Sequence, residues 1–127
     1  MKIKTSELTG AALNWAVQEI EYRRMLAKGE HVKQWALDDH KSGVGINPYS
    51  TDWLWGGPII EEEFMQVFNY AESSPNEPWF VEKNHFGRHH KAGRSYARGS
   101  TILIAAMRCY VSVKLGDEVD IPDELLP

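Results

Sequence analysis

The chain has 127 residues, 43% of them hydrophobic and 25% charged, with fourteen Lys and Arg against eighteen Asp and Glu for a formal charge of −4. That is ample for one buried core, too apolar for a disordered chain, and too acidic for a protein that coats nucleic acid over its whole surface. No run approaches the roughly 18 apolar residues of a membrane span, the first five residues lack the apolar stretch of a secretory signal, and the single Cys109 has no internal disulfide partner, so a cytosolic globular protein is expected.

Residues 9–28 read as the first helix. Thr9 caps it, Leu13, Ala16, Val17 and Ile20 recur at a spacing near the helical period, and Gly29 supplies the stop. Ahead of it, residues 1–5 alternate apolar and polar, as a short edge strand does. Residues 30–48 show no clear period, and His31, Val32 and Trp35 to Leu37 suit a helical turn or a strand equally. Gly43, Gly45 and Pro48 mark turns, and the stretch is expected to be a long connection that serves as a ligand loop or lid. Pro48 holds Asn47 extended, and Ser50 or Thr51 caps a middle helix. Gly56-Gly57-Pro58 should break or kink that helix; if Pro58 is a first-turn residue, a second piece starts there and carries Ile59 and Ile60 inward.

Aromatic and β-branched content then predicts a three-stranded antiparallel meander at roughly 64–71, 78–85 and 93–98. In the closing helix Ser100 or Thr101 is the cap, Leu103, Ala106, Met107, Tyr110 and Val111 make the apolar face, and Gly116 ends it. Cys109 and a paired, structural Arg108 belong to the same helix. The expected fold is α+β, a small antiparallel sheet packed with N-terminal, middle and C-terminal helices. Residues 1–116 form the domain and 117–127 an acidic, docked or frayed extension.

Three segments together resemble the NinX-like family of phage proteins. They are Lys4-Thr5-Ser6-Glu7-Leu8-Thr9-Gly10-Ala11-Ala12-Leu13-Asn14-Trp15-Ala16-Val17; Ser50-Thr51-Asp52-Trp53 with Gly56-Gly57-Pro58-Ile59-Ile60-Glu61; and the run from Leu103 to Val111 with Lys114-Leu115-Gly116-Asp117-Glu118-Val119. They cover about a third of the chain. Pro48-Tyr49-Ser50-Thr51-Asp52 followed by an Ala-rich final helix also resembles the wider phage α-β-α sandwich group. The resemblance implies a temperate-phage accessory protein with an α+β sandwich fold, of a kind that often counters host defences, and it brings no catalytic residues with it.

The segment 82–98 carries the most chemistry. Lys83, Arg88, Lys91, Arg94 and Arg98 face one acid, Glu82, a formal +4 that leaves the rest of the chain at −8. A basic patch on an acidic protein suits a directed anion site, and guanidinium groups beside Phe86, Tyr96 or a Trp suit phosphate and base together. The competing reading is a solvated turn with scattered charges. Double-stranded RNA fits poorly, because Thr101-Ile102-Leu103-Ile104 puts no lysine at the start of the last helix. His85, His89 and His90 have usable zinc spacing but no neighbouring Cys or acid pair to complete four ligands, and three exposed loop histidines is the simpler account. Ser50-Thr51-Asp52 with a distant His is a triad one can draw in almost any chain, and Glu61-Glu62-Glu63 reads as a solvated helix face. Trp53 and Trp55 point to different sides of a helix, so one can be an exposed binding anchor while core burial of both stays open.

These readings predict a non-catalytic phage accessory protein, with no cofactor and no metal, that binds an anionic ligand in the cytoplasm of the infected host. A nucleotide-derived host immune signal is the preferred ligand. Arg88, Arg94 and Arg98 would hold phosphate and Tyr96 and Trp53 would stack on the base, with Thr51 and Asp52 alongside. The alternative is a protein–protein inhibitor of a host defence or regulatory protein. Neither a membrane nor bulk nucleic acid is expected as a partner, and a two-fold homodimer is left open.

Overall fold

A computed structural model describes residues 1–85 and 93–126, apart from the side chains of 84, 85, 93 and 94. Its elements, in chain order, are β1 (Lys2–Lys4), α1 (Gly10–Ala27), α2 (Gln34–Lys41), α3 (Trp53–Glu62), β2 (Gln66–Asn69), β3 (Trp79–His85), β4 (Gly93–Gly99), α4 (Ile102–Leu115) and β5 (Glu118–Asp120), with single 3₁₀ turns at Thr5–Glu7 and Asp123–Leu125. The fold is α+β: β2, β3 and β4 form an antiparallel meander in that order, and β1 pairs with β5 in a separate two-stranded sheet.

The last helix is the centre of the packing. It lies against β3 and β4 on the sheet side and against α1 and α3 as well. Leu103, Ala105, Ala106, Met107, Cys109, Tyr110 and Val111 are all buried, so apolar character wraps most of the helix instead of one stripe. Thr101 caps it, its hydroxyl accepting from the Ile104 N–H at 3.1 Å, and Gly116 ends it at φ +95°, a conformation other residues resist. Leu13, Ala16, Val17 and Ile20 of α1 close the core from the helix side. The C-terminal segment is docked: Val119 and Ile121 reach the core, and β5 pairs with β1 residue for residue from Lys2 and Asp120 to Lys4 and Glu118.

Three expectations are corrected. Residues 30–48 are not one long connection, because Gln34–Lys41 forms α2. That helix has little apolar surface and docks through His40, whose ring stacks on Trp15 at 4.8 Å with 2° between the planes. The Trp15 indole N–H donates to the His40 carbonyl at 2.7 Å, and Nε2 of His40 lies 3.0 Å from Glu19. Nor does Gly56-Gly57-Pro58 break the middle helix, since α3 runs unbroken through Pro58. The carbonyl that Pro58 leaves without its helical donor belongs to Leu54, a residue 76% exposed. Gly56 serves close approach: a Cβ there would strike the Tyr49 carbonyl and the Leu103 side chain. The cap is Asp52, not Ser50 or Thr51; its carboxylate accepts from the Leu54 N–H at 2.9 Å, while Ser50 is buried with its N–H donating to Asn14.

Candidate functional site

Alternation along the meander sorts its side chains onto two faces. Val67, Val81 and Ala97 stand in register across the three strands, and Val81 and Ala97 face α4 and the core. The neighbouring rows, Phe68–Phe80–Arg98 and Gln66–Glu82–Tyr96, therefore emerge on the face opposite the one that α4 covers. Tyr70, just past β2, joins them.

The rings form one cluster around Phe80. Tyr96 stacks on it at 5.3 Å with 22° between planes, Tyr70 meets it edge-on at 5.7 Å, and Phe68 lies 6.2 Å away. The Arg98 guanidinium carbon sits 5.3 Å from the Phe80 centroid and 5.6 Å from that of Tyr70, in cation–π range of both. Tyr96 is 63% exposed, so its ring face is free to receive a second ring. Phe68, Tyr70, Phe80, Glu82 and Tyr96 line an open hollow of about 500 Å³.

Tyr96 is also a wall of a second hollow, of about 430 Å³, beyond β4. Arg98 and Arg108 line it with Lys4, Thr5 and Ser6 from the chain start, Ser112 of α4, and the acids Glu77, Asp117 and Glu118. Arg108 is committed to structure there: it donates to the Leu8 carbonyl at 2.8 Å, the Arg98 carbonyl at 2.9 Å and the Glu77 carboxylate at 2.7 Å. The Arg98 backbone is thus tied to α4 while its side chain lies over the rings.

The predicted site residues fall into three groups. Tyr96 and Arg98 come together on the aromatic face. Trp53, Thr51 and Asp52 stand at the start of α3; Trp53 and Thr51 are exposed and Asp52 is the cap, and none shares a hydrogen bond, ring contact or hollow with Tyr96 or Arg98 among the described residues. Arg88 lies outside the described residues, as do Phe86, His89, His90 and Lys91; Arg94 is placed in β4 by its backbone, opposite Asn84, with its side chain outside them, as is that of His85. Lys83, the first cation of the basic segment, is used elsewhere: its ammonium donates to the Glu63 carboxylate at 2.9 Å and to the Glu63 carbonyl at 3.1 Å. Burial works to raise the Glu63 carboxyl, but Lys83 and Lys114 prevail and hold it below its ordinary value.

Phe68, Tyr70, Phe80 and Glu82 were absent from the sequence reading of the site. The signal was present in the two-residue spacing of Phe68/Tyr70, Phe80/Glu82 and Tyr96/Arg98, which only register converts into one surface. Among the described residues no cluster of three or more His, Cys, Asp or Glu could hold a metal, and no helix is long and apolar enough to cross a membrane.

The family model described as Bacteriophage P22, NinX matches residues 4–114. No curated protein matches the chain.

Proposed function

The chain belongs to the Bacteriophage P22 NinX family, and we propose that it is a non-catalytic accessory protein that binds a nucleotide-like ligand on the outer face of its meander. The observation that carries this is the packing of the rings of Phe68, Tyr70, Phe80 and Tyr96 with the Arg98 guanidinium on the sheet face away from α4. A flat ring stacks on Tyr96, and the cation beside it meets the ligand's phosphate. Arg94 and Arg88 follow along the same basic segment and remain part of the proposal. In a phage protein the ligand of choice is a nucleotide-derived signal of host immunity, which the protein sequesters in the host cytoplasm.

A thermal-shift screen against cyclic dinucleotides and ADP-ribose-type compounds tests the reading. At least one should raise the melting temperature, and Tyr96→Ala should lose the shift while leaving the fold intact. Stacking on an aromatic is worth about 1–3 kcal/mol per base, so an affinity loss of roughly five- to 150-fold is expected. No shift with any member of the panel refutes it.

A second reading has its own observation. Trp53, Leu54 and Trp55 are all exposed at the start of α3, and an exposed Trp is the sort of side chain that anchors a protein partner. On that reading the protein inhibits a host protein, and Trp53→Ala, not Tyr96→Ala, abolishes capture of a defined polypeptide from host lysate.

A further inference from the structure

The meander ends in two edge strands that differ in what meets them. At β4 the outward Arg98 carbonyl accepts from Arg108 at 2.9 Å. At β2 the phase of the ladder is set by Tyr70, whose N–H donates to the Pro78 carbonyl at 2.7 Å. Backbone groups two residues apart on a strand point the same way, so Phe68 and Gln66 also turn theirs toward β3. The N–H and C=O groups of Val67 and Asn69 therefore point away from the sheet, and none of them has a hydrogen-bond partner among the described residues. Every residue of β2 is exposed.

We propose that this edge pairs with β2 of a second copy of the chain, antiparallel about a two-fold axis at Phe68. Exposed edges are ordinarily guarded by a charge, a proline or a bulge. Residues 64–71 contain no charge and no proline, and β2 pairs with β3 without a bulge. A neutral edge suits its own copy in particular, because self-pairing would set like charges close together had the strand carried any. With Phe68 on the axis, Val67 lies opposite Asn69 of the second copy, and each such pair exchanges N–H to C=O bonds in both directions. That register uses every outward backbone group of Val67 and Asn69 and repeats the same contacts on both copies, as an isologous interface must. Phe68 meets its counterpart in a non-hydrogen-bonded pair, with Cα atoms about 4.5 Å apart. The two meanders become one sheet, and the aromatic hollow that Phe68 lines gains a ring of the second copy at its margin.

Sedimentation velocity of the full chain tests this without any ligand, so the result stands apart from the nucleotide reading. A pairing this short falls below the standard interface area, so dimer should appear as concentration rises across about 10–500 μM. Val67→Pro removes the outward N–H from both copies and leaves the ladder to β3 intact, since proline is tolerated where an edge N–H faces solvent. It should weaken the dimer about ten- to 100-fold while circular dichroism stays unchanged. Register is read by crosslinking: with oxidised glutathione, Phe68→Cys should link two copies through residues on the axis. Gln66→Cys should not, because its counterpart then lies beyond the roughly 7 Å that a disulfide spans. The native Cys109 is buried and does not compete. A monomer at every concentration overturns the proposal, as does a dimer that Val67→Pro leaves unweakened. Equal crosslinking through Phe68→Cys and Gln66→Cys overturns it as well. The crosslinking pair needs no proline, so a poorly folding Val67→Pro leaves the test decisive.

Discussion

Arg108→Met probes how the core holds the binding face in place. Arg108 lies on α4 with 8% of its surface exposed, and Met keeps much of its apolar stem while removing every donor. Two backbone carbonyls, of Leu8 and Arg98, lose the guanidinium that now reaches them at 2.8 and 2.9 Å. A buried acceptor left unsatisfied costs about 1–3 kcal/mol. The Glu77 contact adds at most about 1 kcal/mol, since that carboxylate is half-exposed. The hollow beside Arg98 and Arg108 gives water a route to the Arg98 carbonyl, which moves that residue's share toward the low end. The expected destabilisation is therefore about 2–4 kcal/mol. Urea denaturation measures it as a lowered midpoint at constant slope. A loss below about 1 kcal/mol would show that the three bonds are exchanged for water at little cost, and the reasoning would fail.

Phe64 should prefer to be glycine. It sits at φ +52°, one residue past the C-cap of α3, where its N–H donates to the Glu61 carbonyl and the Met65 N–H to that of Ile60, and its ring is 86% exposed. The left-handed strain of about 1–2 kcal/mol exceeds glycine's entropic cost of about 0.5–1, so Phe64→Gly should be more stable than Phe64→Ala by about 0.5–1 kcal/mol; equal midpoints would contradict the strained cap. Glu63 predicts an acid limb. Its carboxyl is lowered from 4.5 in the fold, so the stability it lends is present above that value and lost as pH falls through the folded one. Melting temperature followed from about pH 6 to pH 3 should decline less steeply in Glu63→Gln, and parallel curves would reject this. Cys109, buried and pushed up to about 12 chiefly by that burial, should resist iodoacetamide in the folded protein and react on unfolding; prompt native alkylation would overturn its placement.

Helix periodicity and strand alternation were readable where one element carries its own signal. The first and last helices show it, because their buried residues recur along the chain and their ends carry Thr101, Gly29 and Gly116. The second helix could not be told from a strand or a connection for the opposite reason: His40 is its one buried residue, and nothing local announces a buried polar ring. The middle helix was misjudged because Gly56 and Pro58 are helix breakers by local preference, while Gly56 is required by a neighbour distant in the chain. Strand two began later than expected, at Gln66, since the end of α3 uses Glu63, Phe64 and Met65 for its closing turn.

Local preference along the chain was enough to establish an α+β domain, its two main helices, its meander and a concentration of cations and rings near residue 96. It was not enough to say which rings meet. That depends on register between strands that lie twelve or more residues apart, which brings Phe68, Phe80 and Arg98 into one row and leaves Trp53 on another element. It depends as well on which sheet face α4 covers. A side chain's direction is local, but its neighbours are set by burial of the whole core, and that is a property of the assembled fold.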